Sequence, residues 1–191
     1  MRHIPCVILA GGKSRRMGED KALLPFGDFE TLTEFQLHKL QAHFDNVYIS
    51  CKSKNKFDFE ANFLEDNPAY HDSSPLIALL SAFEQLQCET LFVISVDTPF
   101  VQAQHFQALY HYHDKQTQAI VAQTSSGTHP LCALYTINPF LLNSVLKKRY
   151  RMTEYLENIT THFVHFEDES AFANLNFQEE YQKACKRKNI G

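Results

Sequence analysis

The residues best placed to do chemistry cluster in Leu9-Ala10-Gly11-Gly12-Lys13-Ser14-Arg15-Arg16-Met17-Gly18-Glu19-Asp20-Lys21. Three of the six glycines in this 191-residue chain, Gly11, Gly12 and Gly18, fall inside it. Glycine lets backbone N–H groups approach a ligand closely, and Arg and Lys add positive charge, so the set suits phosphate oxygens. Two familiar phosphate loops are excluded. Gly12-Lys13-Ser14 imitates the end of a Walker A motif, but Val7 stands where its first glycine belongs. Counted from Gly11, Lys13 and Arg16 occupy the other glycine positions of a dinucleotide fingerprint. The plain alternative is a solvated surface turn, which the preceding apolar run Ile4 to Leu9 weighs against.

A second chemical group is Asp97, in Val96-Asp97-Thr98-Pro99. A carboxylate at a strand end, in a turn stiffened by Pro99, can hold Mg²⁺ bridging a triphosphate. Asp is also a common helix cap, so capping of the next helix is the competing reading. Both groups need a scaffold that brings strand ends together. Ile4 to Leu9 reads as a buried first strand, and Leu91 to Val96 as a central one covered on both faces. Further strands are expected at Val47-Tyr48-Ile49, Ala119-Ile120-Val121 and Cys132-Ala133-Leu134-Tyr135. Helical spacing links Leu32, Phe35, Leu37, Leu40 and Phe44, and then Leu76, Leu79, Leu80, Phe83 and Leu86. Helices are also expected over 103–112, 139–146 and 178–185, with Lys186-Arg187-Lys188 a frayed, solvated tail. This alternation implies an α/β fold, a mostly parallel central sheet with helices on both faces, in which ligands sit beyond the carboxyl ends of the strands.

Composition bounds the remaining possibilities. No linker, repeat or low-complexity tract divides the chain, so residues 1–191 are expected to form a single domain. The net charge of −4 argues against nucleic acid as partner, and no apolar run approaches a membrane span. Arg2 followed by Ile4 to Ala10 is too short for a signal peptide and lacks a small-residue cleavage site, which leaves the cytoplasm as the expected compartment. The five cysteines are scattered, and Cys6, Cys51 and Cys132 lie in apolar runs as small hydrophobes. His111 and His113 point to different faces of a helix and are read as surface residues.

The motifs together resemble the molybdenum cofactor guanylyltransferases and their close relatives in the nucleotidyltransferase superfamily. The opening segment fits L-A-G-G-x-S-x-R-M-G-x-D-K. Leu64-Glu65-Asp66, Ser74-Pro75-Leu76, Val96-Asp97-Thr98-Pro99, His129-Pro130-Leu131 and Asn174-Leu175-Asn176 follow in the family's order, over almost the whole chain. The resemblance implies a three-layer, Rossmann-like nucleotidyltransferase fold, with the nucleotide in the N-terminal half and the acceptor in the C-terminal half. It implies transfer of GMP from GTP to the phosphate of molybdopterin or molybdenum-molybdopterin, with release of pyrophosphate. Arg16 would clamp the β- and γ-phosphates, Lys21 would sit where the α-phosphate meets the acceptor, and Asp97 would hold Mg²⁺. Leu9, Ala10, Gly11, Gly12, Ser50 and Asp66 would contact the nucleotide, and Arg151, Asn174 and Asn176 the acceptor. A monomer is expected, in transient contact with other proteins of molybdenum cofactor biosynthesis for hand-over of the acceptor.

Three departures stand out: Ser50 where many members have Asn, Ser74-Pro75-Leu76-Ile77-Ala78 in place of Gly-Pro-Leu-x-Gly, and Phe177-Gln178 in place of Thr-Pro. They leave open a nucleotidyltransferase using CTP or ATP on a pterin or sugar phosphate. Ser14-Arg15-Arg16 disfavours the sugar-nucleotide branch, which tends to carry Gly-Thr-Arg after Gly-Gly-x. A non-catalytic nucleotide-binding accessory protein on the same fold is the third reading.

Overall fold

A computed structural model describes residues 1–11 and 20–188, the side chains of 186–188 excepted. Its centre is β1 (Cys6–Leu9), every residue of which is buried. The strand is continuously apolar because both faces are covered. Cys6 and Ile8 join one core cluster, while Val7 and Leu9 join the other. The same alternation divides β4 (Thr90–Ser95) and β6 (Gly127–Thr136): Phe92, Ile94, Cys132 and Leu134 face one way, Leu91, Val93, Ala133 and Tyr135 the other. Helices α1 (Leu32–Gln41), α3 (Ala103–His111) and α6 (Gln178–Lys188) close the first face. Helices α2 (Pro75–Leu86), α4 (Pro139–Leu146) and α5 (Met152–Glu157) close the second. The result is the expected three-layer α/β fold.

With β2 (Val47–Cys51), β3 (Asn62–Glu65), β5 (Ala119–Thr124) and β7 (Thr161–His165), the seven-stranded sheet runs β3-β2-β1-β4-β6-β5-β7. All pairings are parallel except those of β6, which is antiparallel to β4 and to β5. Reversal of β6 carries its first half past the end of β4: Thr136 pairs with Thr90 and Cys132 with Ile94, so His129 to Leu131 continue beyond the β4 ladder. There β6 leaves its register with β5, which jumps from Val121↔Ala133 to Ala122↔His129. Pro130, which has no N–H to give the ladder, sits in this bulge, and the buried Tyr135 hydroxyl donates to its carbonyl at 2.8 Å.

The sequence reading differs from the fold at four places. β3 and β7 were not anticipated as strands, nor α5 as a helix. Residues 186–188 form the last turn of α6 rather than a frayed tail. Among the described residues, no helix is long and apolar enough to cross a membrane.

Candidate active site

The carboxyl ends of β1, β2 and β3 open into a cavity of about 550 Å³ whose lining includes Leu9, Gly11, Ser50 and Asp66. These are four of the six residues expected at the nucleotide. Ala10 lies behind them, 2% exposed, its N–H donating to the Ser50 carbonyl at 2.9 Å. Gly12 and Arg16, with the rest of 12–19, lie outside the described residues. Asp66 is half-buried, and that burial raises its carboxyl pKa, with the Lys52 charge opposing the shift. Ser74 and Ala78, the two departures from glycine, line the same cavity. The Ser74 hydroxyl is engaged as the N-cap of α2, accepting from the Ile77 N–H at 3.2 Å, with Pro75 opening the helix. Across the mouth, the Tyr150 hydroxyl donates to Asp72 at 2.9 Å.

A three-residue junction adjoins this cavity through Ser95, which lines it and bonds to Asp97. The Lys21 ammonium donates to Asp97 Oδ2 at 3.0 Å and to Asn176 Oδ1 at 2.7 Å. The ion pair is well shielded, the two side chains being 14% and 16% exposed. Asp97 Oδ1 accepts from the Ser95 hydroxyl at 2.6 Å, and the Asp97 carbonyl accepts from the Leu175 N–H at 2.9 Å. Asp97 does not cap α3, whose N-cap is Gln102. Asn176 likewise does not cap with its side chain, whose oxygen accepts from Lys21. The Asn176 and Phe177 N–H groups ahead of α6 donate instead to the Glu180 carboxylate, at 2.6 and 2.9 Å.

A second cavity, about 240 Å³, is lined by Asp97 and Asn176 of this junction and by His129 and Asn174 among others. Ser95 and Leu131 border both cavities. His129 stacks on Phe172 with ring centroids 4.9 Å apart and lies 2.9 Å from the Thr124 hydroxyl; burial lowers its pKa, opposed by Glu169. Such a ring stays neutral near pH 7. The structure therefore brings together Lys21, Asp97, Asn174 and Asn176. It leaves Arg151 apart: that residue is exposed, precedes α5, and borders neither cavity.

Sequence reasoning missed Ser95, Tyr150 and Lys56. Ser95 has a faint signal, the one hydroxyl between the apolar run of β4 and Asp97. Lys56 has none. Its ammonium donates to the Ala10 carbonyl at 3.0 Å and to Asp20 at 2.7 Å, and so joins the two flanks of the glycine-rich segment.

The model of the MobA-like NTP transferase domain matches residues 6–160. The chain is 37% identical over 185 residues to a molybdenum cofactor guanylyltransferase of Campylobacter jejuni subsp. doylei, covering 96% of each. It is 34% identical over 191 residues to a protein of the same name from Helicobacter pylori (strain G27), covering 95% of this chain and 92% of that one. In fold it is similar to molybdopterin-guanine dinucleotide biosynthesis protein A of Archaeoglobus fulgidus, with a TM-score of 0.84 at 20% identity over 98% of this chain and 100% of that one. The chain belongs to the MobA-like NTP transferase family.

Proposed function

We propose that this protein transfers GMP from GTP to the phosphate of molybdopterin or molybdenum-molybdopterin. An acceptor phosphate oxygen attacks the α-phosphorus of GTP, the bond from that phosphorus to the β-phosphate oxygen breaks, and pyrophosphate leaves. The observation that carries this reading is the Lys21–Asp97–Asn176 junction, bonded through Asp97 to Ser95 in the wall that the two cavities share. A nucleotide in the larger cavity and a phosphate-bearing acceptor in the smaller would meet at that wall. The names of the relatives support GTP and a molybdopterin acceptor.

The chain's residues then divide the work. Asp66 accepts paired N–H bonds from guanine, which its half-buried setting strengthens. Lys21 neutralises charge between the α-phosphate and the incoming phosphate, and Asn176 and Asp97 hold its ammonium in place. Arg16, by resemblance, clamps the β- and γ-phosphates. Asn174 and Asn176 offer amides to the acceptor, with Arg151 as an outer cation. The reaction needs mainly positioning and charge neutralisation, which this set can supply.

The donor set suits a metal carried by the nucleotide. Among the described residues no three His, Cys, Asp or Glu side chains converge on one point. Mg²⁺ commonly takes one or two carboxylates plus phosphate oxygens and water. Asp97 would hold it, and the ion would supply charge neutralisation at the departing pyrophosphate.

Thermal unfolding with GTP, CTP, ATP and UTP, each with and without Mg²⁺, tests the reading. A ligand at a hundred times its Kd stabilises by about 2.7 kcal/mol. A Mg²⁺-dependent shift with GTP alone, followed by pyrophosphate release once the pterin acceptor is added, is the expected outcome. A larger shift with CTP or ATP would mean that Ser50, Ser74 and Ala78 have retuned the base cavity. GTP binding with no turnover, unaltered by Asp97→Ala, would replace the enzyme by an accessory protein.

A further inference from the structure

Helix α1 touches neither cavity, yet three polar side chains on one of its faces hold the backbone on both sides of the Lys21–Asp97 pair. Thr33, Gln36 and Lys39 recur every three residues, so they share a face over about 9 Å of helix. The Thr33 hydroxyl donates to the Ala22 carbonyl at 2.7 Å, and the Leu32 N–H donates to the Leu24 carbonyl at 2.6 Å. These bonds fasten the start of the helix to the turn that carries Lys21. The Gln36 amide donates to the carbonyls of Thr98, Ser95 and Val96 at 3.1, 3.3 and 3.4 Å. The Lys39 ammonium donates to the carbonyls of Pro99 and Val101 at 2.8 and 2.9 Å. Together they bind carbonyls along the stretch that follows β4 and carries Asp97.

Thr33 and Gln36 are fully buried, each 0% exposed, on a helix whose other inward residues are Leu32, Phe35, Leu37 and Leu40. Burying an amide is unfavourable unless it makes hydrogen bonds, so an apolar residue would serve better here if packing alone mattered. Gln36 Oε1 is also buried without a hydrogen-bond partner. Only the donor end of the amide is used, and it is used on the backbone either side of Asp97.

We infer that Gln36 is a positioning residue for the transfer reaction, with Thr33 and Lys39 as its supports: α1 is a splint that sets the Asp97 turn relative to the Lys21 turn. This rests on the transfer site proposed above. A misplacement of about 1 Å at a reacting group can lower a rate on the order of a hundredfold, so the splint acts on turnover rather than on nucleotide binding.

The test compares Gln36→Met, which keeps the length and removes the donors, with Lys39→Met and Asp97→Ala. For Gln36→Met we expect kcat to fall roughly 10- to 100-fold with KM for GTP within about twofold of the parent. Mn²⁺ affinity, read by electron paramagnetic resonance with a GTP analogue blocked at the α–β bridge, weakens in parallel. The thermal shift given by GTP without metal stays unchanged. Lys39→Met moves kcat and Mn²⁺ affinity the same way by less, and it decides the matter if Gln36→Met fails to fold. Folded variants with parental kcat and Mn²⁺ affinity would overturn the splint while a dead Asp97→Ala leaves the transfer site standing. An active Asp97→Ala would instead overturn the transfer site itself.

Discussion

The two cavities that meet at Ser95 and Leu131 are walled by opposite chain directions. The larger is built where parallel strands end: Leu9 and Gly11 at β1, Ser50 in β2, Asp66 after β3. The smaller takes one wall from the beginning of a strand, since β6 runs antiparallel and brings Thr128 to Leu131 to the same edge. The rest comes from Ser95, Asp97 and Thr98 at the end of β4 and from Asn174 and Asn176, after the last strand. Parallel strands give a mononucleotide the edge common to open α/β sheets. One reversed strand, bulged at Pro130, extends that edge into the second cavity. Two cavities on one rim thus follow from reversing a single strand.

The sharpest way to break the comparison is beside the shared wall, at Asp97, which lines the smaller cavity and accepts from Ser95. Asp97→Ala should lower kcat about 10²- to 10³-fold in pyrophosphate release, in line with the loss of one charge-stabilising group. A loss confined to the KM of one substrate would show that Asp97 belongs to one cavity only. Next in size, Asn174→Ala should raise KM for the pterin acceptor about tenfold, a lost hydrogen bond or two, and leave KM for GTP unchanged. Steady-state kinetics with each substrate varied in turn checks this. Lys56→Met should do the reverse, raising KM for GTP several-fold, because the tie between Ala10 and Asp20 belongs to the nucleotide side.

The smallest effect concerns Asp66 and pH. Burial raises its pKa in the folded state above the unfolded value, so its contribution to stability is present at low pH and is lost as pH rises through the folded pKa. Asp66→Asn removes that loss. The variant should gain in Tm over the parent as pH rises from about 4 to 8, while its GTP affinity falls. A constant difference in Tm between the two across that range would mean that Asp66 is solvated like a surface acid.

The parts of the molecule visible in the sequence were those whose signal is local. β1 and β4 show as apolar runs because both faces are covered; Asp97 stands out as the charge at the end of the second run, and Lys21 as the last cation of the glycine-rich segment that follows the first. β3 and β7 were missed because they end the sheet: Leu64 and Val164 are their only buried residues, so no alternation shows. α5 is six residues long, too short for a helical period. Gln36, Lys39 and Lys56 were invisible for a different reason. Each acts on backbone carbonyls distant in sequence, and a carbonyl has no residue type to recognise. Asn174 and Asn176 were found only through resemblance, since spacing alone reads them as helix caps.

The hydrogen bonds from Leu175 to Asp97 and from Lys21 to Asn176 also bear on how the protein is made. Synthesis releases the seven strands by His165, and a sheet of largely parallel neighbours can pair as they emerge. The pairing of Lys21 with Asn176 has to wait for residues translated afterwards. The body of the fold can therefore form before the site does, and docking of the C-terminal segment is the event that turns a finished scaffold into a finished site.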